Sequence, residues 1–207
     1  MTGSSRYKYV TLDPDNKADM KKAYQMYLES DRNIENDLHL AMIFMNSGGK
    51  KIQETAVKVF EEGMDADIPA AYLLMADCYF NGIGVKRDYD KALEYYEISA
   101  EKGDPRGAFS VGNECMLGKR VKPDYERALK YFLIASDNGD PRGSNGAGLL
   151  YMCGKGAEKD LKKARQYFKK AAAKGHMGAV GNLQTMESES EDFDWWPVIQ
   201  RSFRYVR

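Results

Sequence analysis

Apolar residues recur along this chain with a helical period, and the pattern itself returns at a fixed interval. Ala92, Tyr95, Tyr96, Ser99 and Ala100 fall at i, i+3, i+4, i+7 and i+8. Ala128, Tyr131, Phe132, Ala135 and Ser136 repeat that spacing 36 residues later, and Ala164, Tyr167, Phe168, Ala171 and Ala172 repeat it once more. Such spacing lines one face of a helix. Gly103, Gly139 and Gly175 close three successive copies, and Asp88, Asp124 and Asp160 keep the same interval. A fainter copy lies upstream, with Gly48, Ala56 and Phe60 one interval before Gly84, Ala92 and Tyr96. There Ile43 replaces the tyrosine seen at Tyr79, and Val59 replaces an aromatic. A fixed period in this range marks a solenoid, whose units lack a core of their own and bury their apolar faces on their neighbours.

Boundary signals divide each copy into a helical hairpin. Asp104-Pro105 and Asp140-Pro141 place an N-cap carboxylate before a proline at the first helical position, where its missing N–H costs nothing. Gly82 to Gly84 and Gly154 to Gly156 end first helices and turn the chain, and the aspartates at 88, 124 and 160 cap second helices. The predicted pairs are residues 33–45 with 53–63, 69–80 with 89–102, 105–117 with 124–138, and 141–152 with 161–174. Residues 15–30 read as an N-terminal half-repeat, residues 1–14 as a short extended segment or a frayed end, and residues 176–188 as one more first helix. The expected organisation is a capping segment over 1–32, a repeat body over 33–188 and an acidic–aromatic tail over 189–207.

The second helices also carry a packing rule. Each presents small residues flanking a pair of rings, and Ala76, Gly112 and Gly148 are the matching close-approach positions on the first helices. Gly143, Gly146 and Gly148 each cost about 0.8–1 kcal/mol relative to alanine in a helix interior. Residues 141–152 are nevertheless expected to be helical, because repeat register and tight packing outweigh that cost.

Composition removes several classes of function. The 207 residues carry a formal net charge of zero, unlike proteins built around phosphate contacts, so nucleic acid is not an expected partner. No apolar run approaches the roughly 20 residues that span a bilayer, and the N-terminus has no apolar signal region. The expected location is the cytoplasm. Cys78, Cys115 and Cys153 fall at shifting repeat positions, which suggests small buried thiols rather than a disulfide framework.

The quoted residues resemble a known family. Tyr79, Gly82, Gly84, Asp88, Lys91, Ala92, Tyr95 and Tyr96, closing at Gly103, are similar to the Sel1-like repeat, a relative of the tetratricopeptide repeat. Tyr151, Gly154, Gly156, Asp160, Lys163, Ala164, Tyr167 and Phe168 match as well. The resemblance covers about residues 33–183. The third copy departs from it, with Arg120 in place of the second loop glycine and Cys115 in place of the tyrosine. It implies an all-α fold, a right-handed α/α superhelix of about four hairpins with terminal caps. It also implies an adaptor that binds a protein or extended peptide on its concave surface. A bacterial effector or immunity partner, and a β-lactam-related enzyme or small-ligand binder, are the alternatives it leaves open; no Ser-x-x-Lys pair is expected to serve the latter.

No catalytic set, metal site or cofactor site is expected. His39 and His176 are the only histidines, and His176 stands where a helix begins. The paired glycines follow helices rather than strands, so they are turns and not phosphate loops. If first helices line the inner surface, counting from each proline gives a row of candidate partner-binding residues. These are Asp77 and Phe80 in the second copy, Arg106, Phe109, Asn113 and Met116 in the third, and Arg142, Asn145, Leu149 and Met152 in the fourth. The asparagines would serve a peptide backbone, the arginines an acidic group, and the apolar residues an adaptable floor. In the tail, Trp195, Trp196, Phe203 and Tyr205 admit three readings: a cap on the last hairpin, docking into a second copy with self-association, or a linear motif for a partner.

Overall fold

The polar residues that interrupt the apolar pattern are the ones that start and stop helices. A computed structural model of the chain describes residues 34–45, 49–117 and 122–188, together with positions 22, 25, 193, 194, 196 and 197. Among the described residues every extended element is a helix and none is a strand. They are α1 (Ile34–Met45), α2 (Lys50–Asp65), α3 (Pro69–Asn81), α4 (Tyr89–Glu101), α5 (Pro105–Leu117), α6 (Tyr125–Asp137), α7 (Pro141–Cys153), α8 (Leu161–Ala172) and α9 (Met177–Ser188). The predicted all-α hairpins are therefore present. The largest difference is at α2, which starts at Lys50 rather than 53 because the Gly49 carbonyl takes the Ile52 and Gln53 N–H groups, at 2.9 and 3.0 Å. Expectations for residues 1–14, most of 15–30, the Arg120 turn and most of the tail lie outside the described residues.

The caps follow the sequence. Asp88, Asp124 and Asp160 accept from the N–H groups of Lys91, Arg127 and Lys163 at 3.1, 2.9 and 2.8 Å. Asp104 and Asp140 accept from Arg106 and Arg142 N–H at 2.9 and 2.8 Å. His176, one interval after Asp140, does the same work with a ring nitrogen: its Nδ1 accepts the Ala179 N–H at 3.1 Å. Burial alone would raise the Asp104 carboxyl, but the hydrogen bonds and charge of Arg106 outweigh it and hold the group below the usual carboxylate range. At the far ends Gly82 and Gly154 turn the chain at φ 73 and 64, a left-handed conformation that side chains rarely adopt.

The chain falls into two units, Met1–Ser99 and Ala100–Arg207. In the first, Phe44, Phe60, Leu40, Val59 and Cys78 are fully enclosed, and α1 and α2 pack as a hairpin despite their degenerate sequence. Tyr79 stacks on Tyr95 with ring centroids 5.7 Å apart, and Lys91 Nζ lies 5.1 Å over the Tyr79 ring. In the second unit Tyr151, Tyr167 and Lys163 form the same stack, at 5.7 and 5.1 Å.

The second unit is built on rings pressed against glycines. Phe132 of α6 is 1 % exposed. A Cβ on Gly112 of α5 would stand 2.7 Å from its ring, and one on Gly146 of α7 would stand 2.8 Å from it. Phe168 of α8 meets Gly148 in the same way, at 2.6 Å, and a Cβ on Gly143 would come within 2.5 Å of Ala135. Thus α7 is helical although three glycines interrupt it, because each glycine is a contact surface. The next position in this register is Gln184 of α9, which is exposed. A glutamine cannot admit a ring at that spacing.

Two stability measurements test this. Gly148→Ala gains helix propensity but drives a methyl into Phe168, so it should destabilise by about 1–3 kcal/mol. Gly181→Ala on α9 meets nothing within 4 Å and should stabilise by up to about 1 kcal/mol; denaturant midpoints of the two variants check the sign of each. A group whose carboxyl is held low in the fold stabilises it above the unfolded pKa and ceases to do so as pH falls through the folded one. Asp104→Asn keeps a cap but loses this charge, so the wild-type advantage in melting temperature at pH 7 should shrink below about pH 4.

Candidate functional site

The first helices α5, α7 and α9 place most of the candidate residues in the second unit. Asp-Pro-Arg opens both α5 and α7. Proline fixes the first helical turn, and the aspartate before it caps the helix. The arginine at the second helical position then folds back on that aspartate. Arg142 Nε lies 3.1 Å from both Asp140 oxygens and Nη2 lies 2.7 Å from Oδ2. Arg106 makes the matching pair with Asp104, at 3.1 and 2.8 Å. Both arginine side chains stay about half exposed, at 45 % and 47 %, while those of their aspartates are nearly enclosed.

Arg142 has a second support. Its Cζ lies 4.3 Å from the centroid of the Phe109 ring, which itself rests against Phe132 at 5.9 Å. The guanidinium therefore lies over an aromatic face, within range of a cation–π attraction. One turn along α7, the Asn145 side-chain oxygen accepts from Asn182 Nδ2 of α9 at 2.9 Å. Asn113 of α5 is half buried. Phe109, Arg142 and Asn145 are thus brought together on one face, with Asn182 added from the next first helix.

Several expectations need correction. Met116, Leu149 and Met152 are 4 %, 5 % and 2 % exposed and belong to the core, so they do not form an accessible floor. Leu149 and Met152 are buried in one apolar cluster with Phe168 of α8 and with Ala179 and Met186 of α9. The two arginines do not offer an unoccupied charge, since each already holds an aspartate. In the first unit Asp77 accepts a 2.5 Å hydrogen bond from Tyr96, and Phe80 packs edge-on against Tyr89 and Tyr96 at 5.6 and 6.4 Å. Both residues therefore serve their own hairpin. Asn182 escaped the sequence reading because Gly146 and Ser110 stand at its repeat positions. The Asp–Arg pairs were signalled by the doubled Asp-Pro-Arg triplet. In the tail, Trp196 is half buried, and Trp195, Phe203 and Tyr205 lie outside the described residues.

Reactive chemistry is poorly served. Burial pushes the thiols of Cys78 and Cys153 up to about 12 and that of Cys115 to about 11, far from a thiolate nucleophile at neutral pH. His39 is exposed on α1 and His176 is used as a cap. A Ser-x-x-Lys spacing does occur, against expectation, at Ser5 with Lys8, at Ser47 with Lys50 and at Ser99 with Lys102. Lys50 is 89 % exposed, and Ser99 is buried with its hydroxyl donated to the Pro69 carbonyl at 3.1 Å. Ser5, Lys8 and Ser47 lie outside the described residues. An open depression of about 470 Å³ beside α6 is lined by Lys122, Asp124, Tyr125 and Gly156, and its Asp124 carboxylate is committed to the helix cap. Among the described residues no group of three metal-ligating side chains gathers, and no helix is long and apolar enough to cross a membrane.

Comparison with known proteins agrees with this geometry. The family model for the Sel1 repeat matches residues 69–104, 105–140 and 142–176. Among solved structures, a protective antigen of uropathogenic Escherichia coli with an SLR fold is 25 % identical with a TM-score of 0.69. That match covers 82 % of this chain and 36 % of the antigen, so the chain spans about a third of its length. A Sel1 repeat protein from Oxalobacter formigenes is 25 % identical over 79 % of this chain and 73 % of its own, with a TM-score of 0.67. Helicobacter pylori cysteine-rich protein B is 25 % identical over 66 % of this chain and 98 % of its own, with a TM-score of 0.52. Proteins of Sel1 repeats generally mediate protein–protein interaction and are typically non-catalytic scaffolds. With three consecutive copies matched over more than half of its length, this all-helical chain belongs to the Sel1 repeat family.

Proposed function

We propose that the chain is a non-enzymatic adaptor whose first-helix face in the second unit, the concave side of the expected superhelix, receives an extended segment of a partner protein. The observation that carries this reading is Arg142, fixed by Asp140 below 3.2 Å and by Phe109 at 4.3 Å, yet 45 % exposed. Asp140 occupies the Nε–Nη2 edge, so the Nη1 side of the fork remains for an acceptor on a partner. A side chain already immobilised loses little further entropy on binding. Asn113 and the Asn145–Asn182 pair lie on the same set of helices and supply amide donors and acceptors that suit a peptide backbone.

The full chain, immobilised and exposed to an extract of its source, tests this. Arg142→Ala with Asn145→Ala should reduce recovery of a defined protein about tenfold or more, as expected for the loss of a charged hydrogen bond of roughly 1.5–3 kcal/mol. Lys162→Ala with Lys169→Ala, on the exposed side of α8, should leave recovery unchanged. Equal recovery with the Arg142/Asn145 variant, when circular dichroism shows it folded, removes this face from consideration.

A further inference from the structure

The C-terminal tail holds both tryptophans of the chain, Trp195 and Trp196. Trp196 does not point away from the fold. Its ring meets Tyr125, at the start of α6, edge-on with centroids 5.2 Å apart and planes at 85°. Lys155, in the turn between α7 and α8, places its Nζ 5.3 Å from the Trp196 centroid and 5.4 Å from that of Tyr125. One ammonium thus serves two rings, both within the range of a cation–π attraction. The Asp194 side chain accepts the Trp196 N–H at 3.1 Å, which fixes the local turn. Phe193 and Trp196 also pack on the apolar cluster containing Leu149, Met152, Phe168 and Met186.

Charge runs the same way. Residues 155–174 hold eight Lys or Arg against Glu158 and Asp160, and residues 187–194 hold five acids and no base. At the head of that acidic run Glu187 lies 3.9 Å from Arg165 of α8.

We propose that the notch formed by Tyr125 and Lys155 is a docking site for the chain's own acidic–aromatic tail. Trp196 is its anchor, and the acidic run guides the segment along the basic last hairpin. Phe193 and Trp196 thereby cover in cis the apolar cluster formed by α7, α8 and α9. This surface is separate from the Arg142 face, so either reading can fail without the other.

Trp195→Phe leaves Trp196 as the sole indole, so intrinsic fluorescence of the full chain reads this contact alone. Its emission should be blue-shifted from free tryptophan, resist acrylamide, and stay constant on dilution. Tyr125→Ala or Lys155→Met in that background should move the emission towards the free value and raise the quenching constant about threefold or more, with the helical circular dichroism retained. Salt near 1 M should raise quenching in the parent, because charges are screened over about 3 Å there. Emission already at the free value, or protected emission that neither variant shifts, overturns the proposal. Protection lost on dilution also overturns it, by assigning the notch to the tail of a second copy. If Tyr125→Ala loses helicity, Lys155→Met decides, since Lys155 lies in a surface turn.

Discussion

The second unit depends on one steric constraint: an aromatic ring occupies the space where a helix on its far side has no side chain. Phe132 lies between Gly112 and Gly146, and Phe168 lies on Gly148. Any Cβ at those glycines would fall below 3.0 Å from a ring carbon, closer than real contacts allow. Each ring therefore sets the distance between two helices and forbids sliding, since a shift by one residue would bring Cβ atoms against it. Interiors packed to this density tolerate little rearrangement. This also explains why a helix as glycine-rich as α7 forms: its propensity deficit of roughly 3 kcal/mol is offset by burying rings on both of its sides.

Close helix spacing has a consequence for the candidate site. With α5 and α7 held together by Phe132, the Arg142 side chain reaches back over Phe109, whose ring touches Phe132 in turn. The half-exposed Arg142 side chain is thus the outermost layer of a stack that begins in the core. Arg142 is positioned by packing and by its aspartate at once.

The repeat architecture was legible in the sequence because every important signal occurs more than once. The aspartate caps, the loop glycines and the ring pairs reinforce each other, and even the position of α7 could be placed by register against its own propensity. The stack of Tyr79, Lys91 and Tyr95 returns as Tyr151, Lys163 and Tyr167, so one observed instance explains the other. The third copy shows the reverse: Cys115 and Arg127 stand where tyrosine and lysine would be, and Tyr131 is buried without that stack. The candidate site was less legible. Counting from each proline excluded only the contacts inside a hairpin, whereas Leu149 and Met152 are buried by neighbouring elements as well. Asn182 has no counterpart in earlier copies, so periodicity gave it no weight.

The Asp–Arg pairs change what kind of recognition this face can support. An aspartate at a helix start is stabilised by backbone N–H groups and by the helix dipole, and a nearly enclosed one cannot easily give up its arginine. The pair is close to neutral at long range, so it contributes little to steering a charged partner from a distance. What it keeps is direction, because the remaining N–H groups of Arg142 point from a fixed plane. Such a group discriminates by the placement of an acceptor rather than by the partner's net charge. The lysines of α8 are arranged the other way, since Lys162, Lys163, Lys169 and Lys170 are all exposed. Long-range attraction and fixed geometry thus rest on different residues of the same unit, so mutation of one leaves the physical basis of the other intact.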